Sequence, residues 1–164
     1  MEDSIGCHSA IIIWLAGQKW LVDVGFPLYA PLPISPHGTM YRSSEFLHYA
    51  TYPDGRNRYQ IEQWPHPKRN VFTLIDKPVS EAEYRAHTSR DYGEQGLFLD
   101  AVIINKIIRD QLWRFNMRER PWRLNCFHWG QRFDAELDGD PAAAVARHFG
   151  MDETTVQIAF ECVS

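Results

Sequence analysis

The feature that most constrains this chain is its first hairpin. Gly6-Cys7-His8-Ser9-Ala10-Ile11-Ile12-Ile13-Trp14-Leu15 is followed by Ala16-Gly17-Gln18 and then by Lys19-Trp20-Leu21-Val22-Asp23-Val24-Gly25-Phe26. Two apolar, β-branched runs around a Gly-containing turn predict two antiparallel strands. Folding back brings the outer ends together, so His8 and Asp23 become cross-strand or diagonal neighbours, about 4.5–8 Å apart. A carboxylate closing an otherwise apolar strand needs a partner, because burying it unpaired is costly. An imidazole serves, and the pair is half of a nucleophile-activating set: carboxylate orients imidazole, imidazole takes a proton. The bland alternative is a satisfied polar pair at the rim of a sheet.

The rest of the chain bounds what that pair can belong to. With 164 residues, 45% of them hydrophobic, the sequence predicts one compact domain, or one domain with a small appended lobe. Six Trp and an aromatic content of 13% favour a sheet-rich core. The net charge is −4 with both signs interspersed, so the basic face of a nucleic-acid binder is not expected. No run approaches the ~20 apolar residues of a membrane span, and the acidic start Met1-Glu2-Asp3-Ser4 lacks a signal-peptide profile. Cys7, Cys126 and Cys162 are odd in number and lack CxxC spacing, which predicts free thiols and a cytoplasmic location. Cys7, His8, Cys126 and His128 match no zinc spacing, so no metal is expected.

Taken in order, Pro27, Pro31, Pro33 and Pro36 exclude helix and central strand and predict an extended surface segment. The runs 46–52 and 58–64 flank Asp54-Gly55, a strong hairpin signal, and 70–75 continues the pattern. Up to Ile75 the chain reads as a meander of four or five strands, open or curled into a barrel. Ser80 with Glu83 forms a capping box and predicts a helix from Glu81 to about His87. Residues 97–108 are ambiguous, with the Ile-rich second half read as strand; 112–115, 122–129 and 131–137 follow as strands. Arg118-Glu119-Arg120 reads as a solvated turn. Asp140 as cap, Pro141 and Gly150 frame a helix over 142–149, and an apolar run at 156–160 closes the chain. The fold class is α+β: an antiparallel, barrel-like β segment over 1–78, then a small α/β lobe over 79–164.

Gly6-Cys7-His8, the apolar strand, the Gly17 turn and Trp20-Leu21-Val22-Asp23-Val24-Gly25-Phe26 resemble the arylamine N-acetyltransferases. That family pairs a strand-borne His with the Asp of a D-[VA]-G-F motif, and the fifteen-residue separation of His8 and Asp23 is the one it uses. Pro31-Leu32-Pro33-Ile34 sits where the family has P-L-x-[LI]; Val71-Phe72-Thr73-Leu74 and Phe149-Gly150-Met151 are similar to later segments of it. The resemblance implies a cysteine-proteinase-like arrangement of β-barrel and lid. It further implies acyl transfer from acetyl-CoA to an aromatic amine through a Cys-His-Asp triad. Carried over, His8 would be the base, Asp23 its orienter, and Phe26 a wall of the substrate pocket.

Two departures stand out. No R-G-G-x-C, the family's nucleophile motif and the mark of its N-terminal helical bundle, occurs here, and Pro27 replaces the glycine that follows D-V-G-F in the family. Cys7 is no substitute, since successive strand side chains point to opposite faces. Cys126, on one face with His128, is the better spare thiol, with a buried core cysteine as the competing reading. Three functions therefore stand open. The first is a truncated or split acyltransferase, its Cys domain supplied in trans. The second is a non-catalytic relative binding a small molecule, CoA or a partner. The third is a repurposed enzyme using His8 and Asp23 as a plain acid–base pair. A hairpin face left bare of a helical bundle also predicts an exposed apolar patch or self-association that covers it.

Overall fold

The computed structural model describes residues 8–26, 28–66, 70–93 and 100–163. The expectations placed on Cys7, Pro27 and residues 97–99 lie outside these. The chain forms two compact units, Met1–Ser89 and Arg90–Ser164.

Among its described residues the first unit holds seven strands: β1 (Ile11–Leu15), β2 (Gln18–Val22), β3 (Leu32–Ile34), β4 (Met40–Ser43), β5 (His48–Pro53), β6 (Arg58–Trp64) and β7 (Asn70–Ile75). Strands β1-β2-β3 form one antiparallel sheet and β4-β5-β6-β7 a second. Among the described residues the two ladders do not join into a closed barrel, so the barrel-like expectation reduces to two sheets. The β1–β2 turn is the two-residue type that hairpins favour: Ala16 at φ 50° and Gly17 at φ 75° both take the left-handed conformation. Its register pairs Ile11 with Val22, Ile13 with Trp20 and Leu15 with Gln18. One face of the hairpin points inward, where Leu21, Leu32 and Ile34 are buried, as are Tyr49, Ala50 and Ile61 of the second sheet. Thr51 Oγ1 donates to the Pro33 carbonyl at 2.8 Å, and the Tyr29 N–H donates to the Tyr49 hydroxyl at 3.2 Å. On the other face Ile11, Ile13 and Leu15 are exposed.

Two expectations are corrected here. The proline-rich stretch is exposed at Pro31, Pro36 and His37, as expected of a surface segment, but Leu32-Pro33-Ile34 within it is a buried strand. It tolerates Pro33 because β3 lies at the sheet edge, where the missing N–H breaks no ladder. Strand β4, short and mostly exposed, carries too few apolar residues to stand out in the pattern.

Helix α1 (Glu81–Asp91) starts at the expected capping box: Ser80 Oγ accepts the Glu83 N–H at 3.2 Å, and Glu83 Oε2 accepts the Ser80 N–H at 2.9 Å. It runs one turn past the expected end.

The second unit is a sheet in plain meander order, β8 (Ile103–Ile108), β9 (Gln111–Asn116), β10 (Arg123–His128) and β11 (Gln131–Glu136), with α2 (Pro141–Phe149) and α3 (Glu153–Cys162). Its core joins Phe115 and Leu124 from the sheet to Val145, Phe149, Val156 and Phe160 from the helices. Burial of each such side chain stabilises by about 1.5–3 kcal/mol. Asp140 caps α2 by accepting the Ala143 N–H at 2.9 Å, and Lys106 Nζ donates to the Phe149 carbonyl at 2.5 Å, placing a cation at the helix C-terminus. The closing apolar run is helical: Val156 and Phe160 are four apart on one buried stripe, and Asp152 caps α3 through the Thr155 N–H at 2.8 Å.

Candidate active site

His8 and Asp23 meet at the open end of the first hairpin. Continued outward, the β1–β2 register sets His8 opposite Gly25, with Asp23 as its diagonal neighbour on the inward face. His8 Nε2 lies 2.6 Å from Asp23 Oδ2. The other carboxylate oxygen, Oδ1, accepts the backbone N–H groups of Gly25 and Phe26, each at 2.9 Å. The chain just past β2 therefore turns around its own aspartate, an Asx-type arrangement. The Leu28 N–H closes the loop on the Asp23 carbonyl at 3.2 Å.

The two side chains differ in exposure: 2% for Asp23 and 34% for His8. A carboxylate that deeply buried needs all its partners, and here it has three. The imidazole keeps an open edge. With Nε2 committed to Asp23, Nδ1 is the nitrogen left to exchange a proton. The hydrogen bond to Asp23 raises the His8 pKa above its ordinary value of 6.5; partial burial opposes the rise and the carboxylate charge supports it. The imidazolium thus persists to higher pH than in a free histidine, the state that draws a nearby thiol toward thiolate.

Phe26 follows directly, its ring edge-on to Phe72 with centroids 5.0 Å apart and partly buried. Lys19, also on the inward-facing side of β2, pairs with Asp76 and stands 5.3 Å over the Trp14 ring.

The two described cysteines, Cys126 and Cys162, both lie in the second unit. Cys126 lies on β10 of the second unit, between Trp113 and Phe133 in register, and burial pushes its thiol pKa up. His128, on the same face of that strand, has its Nδ1 buried with no hydrogen-bond partner among the described residues. Cys162 is exposed near the end of α3. Among the described residues no group of three or more His, Cys, Asp or Glu could hold a metal ion, and no helix is long and apolar enough to cross a membrane.

Arg118-Glu119-Arg120 is the expected turn, exposed at both arginines, but its middle residue is partly buried and paired. Glu119 accepts from Asn116 at 3.1 Å and pairs with Arg114 at 3.4 Å and Arg132 at 3.3 Å. Arg132 in turn binds Asp134 at 2.7 Å, and Asp134 accepts from the buried Asn125 at 3.0 Å. The Arg132 hydrogen bond, seconded by its charge and by Asn125, holds the Asp134 carboxyl below its usual range. The signal was present in the sequence as polar residues at alternate positions, Asn125 on β10 and Arg132 and Asp134 on β11. They share the face that the helices leave uncovered.

No family model matches the sequence, and no curated protein does. Among solved structures, the M. smegmatis arylamine N-acetyl transferase matches with a TM-score of 0.65 at 17% identity. The match covers 93% of this chain and 58% of that one, so this chain spans little more than half the neighbour's length. The likeness is one of fold: antiparallel sheets with a few helices.

Proposed function

We propose that this chain supplies the base and its orienting carboxylate to an arylamine N-acetyltransferase-like acyltransferase. One observation carries the reading: a buried Asp23 that holds His8 Nε2 at 2.6 Å while two backbone N–H groups fix its other oxygen. The fold likeness to an arylamine N-acetyl transferase supports the reaction class.

The thiol comes from a Cys-bearing domain outside this sequence, which holds no R-G-G-x-C. His8 Nδ1 takes the thiol proton. The thiolate attacks the acetyl carbonyl of acetyl-CoA, and the CoA sulfur leaves with the proton from the imidazolium. An aromatic amine then attacks the thioester, His8 accepts the amine proton, and the departing enzyme thiolate recovers it. Asp23 keeps the ring in one tautomer. Phe26 and Phe72 give the acceptor's ring an apolar wall. The bare face of Ile11, Ile13 and Leu15 is the surface that the Cys-bearing domain covers; without it, self-association does so.

The test is acetylation of an aromatic amine by this chain mixed with a separately expressed R-G-G-x-C domain and acetyl-CoA. The reading expects product from the mixture, none from either part alone, and a loss of about 10²–10⁴-fold with Asp23→Asn or His8→Ala. An unaltered rate in both variants refutes it. Tight binding of CoA or the amine by the wild-type mixture, with no turnover, supports a binding module instead.

A further inference from the structure

The His8 ring lies directly against Gly25. A Cβ on Gly25 would stand 2.8 Å from His8 Cε1 and 3.6 Å from both His8 Nε2 and Asp23 Oδ1. Two carbons rest at about 3.5–4.0 Å, so the first of these approaches is a clash while the other two are ordinary contacts. Gly25 is not among the glycines of positive φ, unlike Gly17 and Gly55. Its backbone conformation is open to any residue; what requires glycine is the space taken by the imidazole. The same residue donates its N–H to Asp23 Oδ1 at 2.9 Å.

We propose that Gly25 is a positioning residue for His8. Its missing side chain sets the depth at which the imidazole lies across the hairpin end, so that Nε2 reaches Asp23 Oδ2 and Nδ1 faces out. Val24 and Phe26 flank it without this constraint; Val24 is almost wholly exposed. A methyl group at position 25 lifts the ring, lengthens the His8–Asp23 bond and frees the imidazole to rotate. The significance for catalysis rests on the reading of His8 as the base. The positioning itself does not, and it is measured without any acyl transfer.

Two measurements test it. In the wild-type chain, NMR should show strong cross-relaxation between His8 Hε1 and the Gly25 Hα protons; its absence overturns the proposal whatever any variant does. In Gly25→Ala the His8 pKa should fall from its raised value toward 6.5, as in Asp23→Asn, while circular dichroism stays that of the wild type. A Gly25→Ala chain that melts earlier but titrates His8 like the wild type shows a merely structural glycine, and the proposal fails. Should Gly25→Ala not fold, the wild-type cross-relaxation alone decides. Absence of amine acetylation by the wild-type mixture, with both results as expected, removes the proposed reaction and leaves the positioning role standing.

Discussion

Asp23 divides its carboxylate between two tasks: Oδ1 accepts two backbone N–H groups of its own turn, and Oδ2 holds His8 Nε2 at 2.6 Å. The backbone contacts make the aspartate a rigid part of the hairpin end, and the imidazole is fixed against it. A side chain held this way cannot follow the ring if the ring turns.

Replacing the carboxylate by its amide keeps the acceptor for Gly25 and Phe26 but presents an N–H₂ to His8. Nε2 must then accept, the tautomer inverts, and the cause of the raised pKa is gone. Asp23→Asn should therefore lower the His8 pKa to or below 6.5, read from the imidazole Hε1 resonance across a pH series. Titration unchanged from the wild type would mean that Asp23 does not govern the ring.

Two histidines give stability opposite dependences on pH. His8 is raised by Asp23, so its contribution is whole below the unfolded value of 6.5 and is lost as pH climbs through the folded value. His148 is lowered by burial; it packs 4.4 Å from Trp113 with Nε2 unpartnered among the described residues. Stability is lost there as pH falls below 6.5 toward its folded value, because the unfolded chain binds the proton first. Urea midpoints measured from pH 5 to 9 should lose their alkaline decline in His8→Ala and their acid decline in His148→Phe. A wild-type slope retained in both variants contradicts these assignments.

Burial of the Cys126 thiol makes it a core side chain. In a Cys7→Ser background, exposed Cys162 should react with a disulfide reagent in the folded chain, and buried Cys126 only when the second unit unfolds. Rapid labelling of Cys126 in the folded chain would reopen it as a nucleophile.

The second unit depends on the packing of α2 and α3. Phe149→Ala removes a fully buried ring beside Phe115 and Val145 and should cost about 3–5 kcal/mol. Asp140→Ala, which deletes only the cap on the Ala143 N–H, should cost about 1 kcal/mol. Equilibrium denaturation of the two variants should rank them in that order.

What the sequence makes legible follows from where local chemistry is strong. The β1–β2 hairpin, the Asp54-Gly55 hairpin, the Ser80 capping box and the Asp140-to-Gly150 helix each carry turn or cap residues whose geometry admits few alternatives. The meeting of His8 and Asp23 follows from register alone. Leu32-Pro33-Ile34 is hidden because Pro argues against a strand everywhere except at an edge, and edge position is a tertiary property. Helix α3 is hidden because the four apolar residues of 156–160 are too short a run to decide the period, and only its Asp152 cap separates them. Glu119, a charge between two arginines, reads as solvated until Arg114 and Arg132 arrive from other strands. The role of Gly25 is invisible for a similar reason: it depends on where the His8 ring comes to rest.

That His8 activates a thiol supplied from outside this sequence is tested most directly by intact-mass spectrometry. The chain is mixed with the R-G-G-x-C domain and acetyl-CoA, without an amine acceptor. One acetyl group is expected on the partner's motif cysteine with wild-type chain, and its loss with His8→Ala. Equal acetylation of that cysteine with His8→Ala, or with no chain present, would contradict the role given to His8.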